Sequence, residues 1–255
     1  ISPAKVTKTL KLAPSGELQK IVPPQMSRGQ AEVLTLERIE DLATLLPTLT
    51  PAQSLCYGLP IAEGDAFEVF SEKTLPQDRA HNQIARKKDT FTWPAGPGVL
   101  MLDHDPGKGR EALDRDALLA LLDEAVPALS GVTRIWYPSA SSCIWHAGEK
   151  LAGIRGQRLY LGVQDARDIE RAGRNIADRL WLAGHGWYEV SKSGALLERT
   201  LIDTSVWQSN RLDFAAGADC VPPLEQRRGE PLIMRGDAAL LDTREHLPDL
   251  TAEEV

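Results

Sequence analysis

The sequence predicts a mixed α/β fold in which helices pack on a sheet that is mixed or antiparallel. Three observations carry this. Between about residues 95 and 205 the patterns run strand, helix, strand, strand, helix, strand, strand. The last two, GWYEVS and ALLERTLID, flank KSG, a hairpin signal that makes their pairing antiparallel. The composition is that of a globular chain with a full core: 255 residues, 42% hydrophobic and 25% charged.

The elements follow in order. Residues 1–34 mix charge, Pro and Gly and read as an N-terminal arm or weak hairpin turning at PSG. TLERIEDLATLLPTL reads as a helix, with Thr35 as cap, a stripe of Leu36, Ile39, Leu42, Ala43 and Leu46, and Pro47 as its end. From Pro51 to Arg86 the chain is less regular, with short strands at SLCYG and AFEVF. After the PAGPG turn comes the strand VLMLDHD, then the amphipathic helix DRDALLALLDEAV closed by Pro127, then the strands VTRIWYP and QRLYLGV. DIERAGRNIADRLWLAG is a strong helix: Asp168 is its candidate cap, Ile169, Ala172, Ile176 and Leu180 its stripe, and Gly184 its stop. From Asp219 the chain is Pro-rich and polar apart from PLIM, and a peripheral tail is expected over 221–255, leaving 35–220 as the main domain.

Charge and cysteine usage exclude several classes. The formal net charge is -7, so no global basic surface advertises a histone-like nucleic-acid binder; a local basic groove stays open. Cys56, Cys143 and Cys220 are far apart, without CxxC or Cys/His zinc spacing, and read as reduced thiols with no zinc. No apolar run reaches membrane-spanning length and nothing at the start reads as a signal peptide. A cytoplasmic protein without a membrane partner is expected. The chain opens on Ile1 rather than Met, as a fragment would. GPG and GKG lack GxGxxG spacing, and DPGKGR lacks the Ser or Thr of a P-loop, which argues against dinucleotide and Walker-type sites.

The chemistry concentrates in VLMLDHDPGKGR, Val99–Arg110. Alternation along a strand puts Asp103 and Asp105 on one face and His104 on the other. Two such carboxylates repel unless a cation lies between them, and Mg²⁺ or Mn²⁺ is the hard, oxygen-seeking choice. The other reading of this pair is a polar strand end running into a turn. RTLIDTSVW repeats the grammar, an apolar strand delivering Asp203, with a turn-forming Asp as the alternative. Asp103, Asp105 and Asp203 together supply what a two-metal phosphoryl-transfer site requires. Between them lie Ser139, Ser141 and Ser142 after a strand, and Arg155 and Arg158 around a glycine turn: the hydroxyls and guanidiniums that triphosphate oxygens accept. Residues 134–211 hold eleven Lys/Arg against eight Asp/Glu, a local +3, with -10 elsewhere. HNQIARKKDTFTWP interleaves Arg86, Lys87 and Lys88 with Phe91 and Trp93, a tract suited to a backbone and a stacked base, or to an ordinary surface loop. His146 and His185 have no partner at metal spacing, and Cys143 has no positioned base.

Taken in order, these pieces resemble the archaeo-eukaryotic primase superfamily, in particular the primase-polymerase branch of plasmids, phages and integrated elements. LMLDHD matches the family's apolar strand ending in DxD, GQRLY its second motif with Arg158 at the family's histidine position, and LID with DTSVW and NRLDF its third motif; PSASS and VQDARDI are also similar. The likeness runs from about Ala85 to about Cys220. It implies an RRM-like catalytic core packed against a second small α/β unit, and a metal-dependent nucleotidyltransferase acting as DNA primase or primase-polymerase. Asp103, Asp105 and Asp203 would hold two Mg²⁺ or Mn²⁺ ions. Ser141, Ser142, Arg155, Arg158 and Arg211 would contact the nucleotide, and Arg86, Lys87, Lys88 and Lys108 the template or nucleotide. The implied partners are single-stranded DNA, NTPs or dNTPs, and a replicative or fused helicase. The rivals are a noncatalytic module binding single-stranded DNA and another DxD metal enzyme such as a nuclease.

Overall fold

The computed structural model describes residues 1–107 and 109–254. The fold is mixed α/β, built on one central sheet with several smaller ones around it. β1 (Gly98–His104), β2 (Arg134–Pro138), β3 (Gln157–Val163) and β4 (Leu232–Met234) lie in the order β4-β2-β3-β1, each antiparallel to its neighbour. β5 (Leu240–Leu241) runs parallel to the last two residues of β3, past the point where β2 begins, and makes the sheet mixed. Three helices frame it: α1 (Glu40–Leu45), α2 (Arg115–Ala125) and α3 (Ile169–Leu182).

Register separates the two faces. Leu102, Leu159 and Trp136 stand side by side on one face, and Asp103, Arg158 and Tyr137 on the other. α2 and α3 cover the first face. Leu118 and Leu122 of α2 and Ile169, Ala172, Ile176 and Leu180 of α3 join Leu100, Leu102, Leu159 and Leu161 in one core. Each large apolar side chain there is worth about 1.5–3 kcal/mol over its exposed state. Arg134 reaches from the same face to Asp123 of α2 at 2.7 Å, and Asp114 caps α2 by accepting from the Ala117 amide at 2.8 Å. Gly173 lets α3 meet Trp207 closely: a Cβ there would stand 2.2 Å from the indole. That indole donates to the Met101 carbonyl at 2.9 Å and ties α3, through Trp207, to β1. α1 lies against β2 and β4, so its Leu42 and Leu46 belong to the same core cluster as the strands.

The N-terminal arm is a hairpin, Thr9–Leu12 against Leu18–Ile21, turning through Gly16 at φ 83°. Its first strand also pairs in parallel with Asp219–Cys220. Arg28–Glu32, Ala66–Phe70 and Gln83–Ala85 form a second small sheet. Trp187–Val190 and Leu196–Arg199 form the hairpin expected around KSG.

Four expectations are corrected. The helix expected to be capped by Thr35 starts four residues later, at Glu40, because the Asp41 carboxylate accepts from the Glu37 and Arg38 amides at 3.0 and 2.9 Å and holds that stretch as a turn. Asp168 occupies the cap position of α3 but makes no cap bond; Arg171 and Thr243 take its carboxylate, the former at 2.6 Å. The strand expected to deliver Asp203 ends at Arg199. The 221–255 segment is not peripheral: it supplies β4 and β5, and buries Leu241 and Leu247. All five residues of β2 are buried, so its outer edge needs β4 to satisfy its backbone groups.

Candidate functional site

Strand alternation sends His104 to the helix-covered face and Asp103 to the other, as the sequence predicts. His104 Nδ1 lies 2.6 Å from the Leu201 carbonyl. Burial pulls the His104 pKa down, so the ring is neutral and Nδ1–H is the donor. Two residues on, the Asp203 amide donates to the Asp103 carbonyl at 2.8 Å. These two bonds lay residues 201–203 along the free edge of β1. Asp203 therefore arrives beside Asp103 without being on a strand, and its Oδ1 accepts from the Ser205 amide at 2.8 Å to start the turn Thr204–Trp207.

Directly across from Asp103 in the register is Arg158. Its Nε stands 3.4 Å from Asp103 Oδ1 and its Nη1 3.1 Å from Asp213 Oδ1, with the Arg158 side chain 12% and the Asp213 side chain 1% exposed. Neither contact is aligned as a hydrogen bond: Nη1 donates instead to the Phe214 carbonyl at 2.9 Å, and Nε and Asp213 Oδ1 have no hydrogen-bond partner among the described residues. Coulomb attraction in a poorly solvated place does the holding. Asp213 Oδ2 is aligned, accepting from Tyr57 at 2.7 Å and Tyr160 at 2.9 Å. Burial first, and then the Asp213 charge, raises both phenols well above their ordinary range, so both stay protonated donors. For Arg158, burial pulls the pKa down, but Asp213 and then Asp103 outweigh it and the guanidinium stays charged.

Asp105 lies just past the end of β1 and is exposed. Its Oδ1 and the Ser139 hydroxyl crowd Gly156, where a Cβ would stand 2.6 Å from each. The glycine before QRLYLGV thus lets the DxD loop and the serine turn approach. Ser139 and Ser141 hydroxyls are 3.1 Å apart at this spot.

The Asp103 carboxyl is pushed up to about 6: burial is the main cause, Arg158 opposes it, and Asp105, Asp213 and Asp203 add to it. A carboxyl raised in the folded state gives stability that is full below its unfolded pKa near 3.9 and is lost as pH rises through about 6. Two units correspond to about 3 kcal/mol of ionisation cost at pH 8. Asp103→Asn is therefore expected to raise the melting temperature at pH 8 in EDTA and to change it little at pH 4. Equal destabilisation at both pH values would overturn this account of Asp103.

The donor chemistry fits a hard divalent cation. Asp103, Asp105 and Asp203 offer only oxygen, and Asp103 Oδ2 has no hydrogen-bond partner among the described residues. As they are placed, however, no three His, Cys, Asp or Glu side chains among the described residues form a metal-holding group. The cation between Asp103 and Asp213 is the Arg158 guanidinium.

The other expected residues divide. Arg155 is exposed at the turn beside Gly156, and its amide donates to the Ser142 hydroxyl at 2.9 Å. Ser142 itself is corrected as a nucleotide contact: it is 0% exposed and its hydroxyl also donates to the Gly156 carbonyl at 2.9 Å, so it fastens the turn. Arg86 donates to the Asn210 carbonyl at 3.0 Å and stands near Arg211. Lys87 pairs with Asp89 at 2.8 Å. Lys88 reaches Glu170 of α3 at 3.5 Å, on the helix-covered side of the sheet, which removes it from the Asp103 face. Lys108 lies outside the described residues.

Sequence reading missed Asp213, Tyr57, Tyr160 and Lys8. NRLDF repeats the apolar-to-Asp grammar, so Asp213 was signalled; Tyr57 comes from a distant strand turn and carried no signal. Lys8, just before the N-terminal hairpin, has its pKa lowered by burial and then by Lys20, while Asp105 raises it, which brings the arm to the edge of the site. No protein-family model, curated protein or solved structure matches this chain.

Proposed function

We propose that this protein is a metal-dependent nucleotidyltransferase of the primase-polymerase kind, synthesising or extending primers on single-stranded DNA in the replication of a plasmid, phage or mobile element. The observation that carries the reading is the bond from the Asp203 amide to the Asp103 carbonyl, 2.8 Å, which sets an acid from 100 positions downstream beside the DxD pair. The strand order β2-β3-β1, with a helix after β1, a helix after β3 and residues 201–203 along the edge of β1, supports an RRM-like core.

In this reading Asp103, Asp105 and Asp203 would hold Mg²⁺ or Mn²⁺. Bound there, the ions would lower the pKa of the attacking hydroxyl and stabilise the departing pyrophosphate. The chain's own residues do the rest. Asp213, Tyr57 and Tyr160 keep Arg158 fixed where the phosphates of an NTP or dNTP would lie. Ser141 offers a hydroxyl at the mouth, 3.1 Å from the buried Ser139 hydroxyl, with Arg155 exposed beside them. A primer 3′-hydroxyl attacks the α-phosphorus and gives its proton to solvent water, the bond to the β-phosphate breaks, and pyrophosphate leaves. Arg211 is a proposed contact for the nucleotide and Arg86 for template or nucleotide. The cell compartment in this reading is the cytoplasm, with a replicative helicase as partner; no helix among the described residues is long and apolar enough to cross a membrane.

Incubation with labelled NTPs or dNTPs, Mn²⁺ or Mg²⁺ and single-stranded DNA tests it. Extended products are expected; shortened DNA would identify a nuclease instead. One observation favours the noncatalytic reading: Arg158 already faces Asp103 at 3.4 Å, as a structural ion pair would. Binding to single-stranded DNA without synthesis in any metal would decide for that reading.

A further inference from the structure

The loop that begins at Asp105 has few anchors of its own. From Asp105 to Ala112 the one hydrogen bond among the described residues runs inside the loop, from the Arg110 amide to the Gly107 carbonyl at 3.0 Å. With Gly107 and Gly109 in it, such a segment spreads over many conformations unless something outside holds it.

Trp187, the first residue of the Trp187–Val190 strand, is placed to hold it. The Arg110 guanidinium lies over its indole, 3.8 Å from the ring centroid, and forms no ion pair among the described residues. Gly107 approaches the same ring: a Cβ there would stand 3.1 Å from Trp187 Cζ2 and 3.4 Å from Arg110 Cδ. Gly107 and Arg110, which bond to each other, therefore both rest on one indole.

The indole is itself anchored. Tyr188, the next residue, meets Trp181 of α3 with ring centroids 5.2 Å apart, and a Cβ at Gly186 would stand 2.1 Å from Trp181. The other face of α3 lies in the core. Contact thus runs from the core through the hairpin to the loop and stops just short of Asp105. Pro106, with its fixed φ, is the one residue between Asp105 and Gly107. Asp105 needs such support. It is exposed, and the like charge of Asp103 repels it.

We propose that Trp187 is a positioning residue: by clasping Gly107 and Arg110 it fixes the loop, and with it the Asp105 carboxylate near Asp103. That Asp105 holds a metal rests on the nucleotidyl-transfer reading; that the loop is clasped does not. Two measurements on the full chain separate them. Limited trypsin digestion with mass spectrometry reads the loop through cleavage after Arg110, and cleavage after the exposed Lys73 controls for global unfolding. Titration of Mn²⁺ by electron paramagnetic resonance, without nucleotide, reads the carboxylates. Trp187→Ala is expected to speed cleavage after Arg110 and to weaken Mn²⁺ binding, each about three- to tenfold, with cleavage after Lys73 unchanged. Trp187→Phe, which keeps a ring for the guanidinium, recovers part of both. Arg110→Lys, whose ammonium cannot lie flat on the indole, weakens Mn²⁺ as Trp187→Ala does. Unchanged cleavage in Trp187→Ala overturns the proposal. So does faster cleavage with Mn²⁺ affinity within about twofold of a wild type that binds it, or cleavage that rises equally after Lys73. A protein that binds no Mn²⁺ in any form, yet whose loop opens in Trp187→Ala, would uphold the clasp and sink the metal-dependent reading. Nucleotide incorporation at wild-type rate and Mn²⁺ dependence in Trp187→Ala would do the reverse.

Discussion

Asp213→Ala is expected to lower the unfolding free energy by about 3–5 kcal/mol, because it strips a buried guanidinium of its closest counter-charge. Among the described residues Arg158 would keep only Asp103, at 3.4 Å and misaligned, and the Tyr57 and Tyr160 hydroxyls would lose the acceptor they share. For a chain of this length, that is a fall of roughly 10 °C in melting temperature. Asp213→Asn separates the two contributions: it keeps an acceptor for the tyrosines and removes the charge. Tyr57→Phe should cost about 1 kcal/mol, the worth of one hydrogen bond. Denaturant titrations of the three variants check this ordering. A cost below about 1 kcal/mol for Asp213→Ala would show that Arg158 does not depend on it.

The second large effect is on catalysis. Asp103→Asn and Asp203→Asn are each expected to cut metal-dependent nucleotide incorporation by about 10²–10³-fold, the loss of several kcal/mol of charge stabilisation. Asp103→Asn should do this while the protein becomes more stable at pH 8, since burial and three neighbouring acids oppose its ionisation. Lost activity with gained stability is the signature of a site whose strain serves a function. Asp203 has a second duty, accepting from the Ser205 amide at 2.8 Å, and an asparagine oxygen preserves that bond. Single-turnover incorporation in Mn²⁺ measures both, and wild-type rates in Asp103→Asn would end the nucleotidyl-transfer reading.

Much of this was legible in the chain. Period-2 alternation in VLMLDH put Asp103 and His104 on opposite faces, and the spacing of apolar residues marked the buried stripe of α3. QRLYLGV matched β3 residue for residue. These features are local: strand pleat and helix pitch fix where successive side chains point, whatever the rest of the chain does. The failures are equally physical. Thr35 is a good cap by type, yet Asp41 captured the preceding amides. PLIM is a short apolar patch in a polar tail, and nothing within it says that the edge of β2 waits to be filled.

The sequence by itself determined the class of fold and the strand that carries Asp103, with Asp105 just past its end. Only the tertiary structure decided which charges meet. It put Arg158 opposite Asp103 through the β1–β3 register, laid Asp203 beside Asp103, brought Asp213 and Tyr57 together from chain positions 156 apart, and stacked Arg228 on Tyr137 one strand away. Coulomb energy and desolvation depend on distance and burial in space, and for residues so far apart along the chain neither is written in the local pattern.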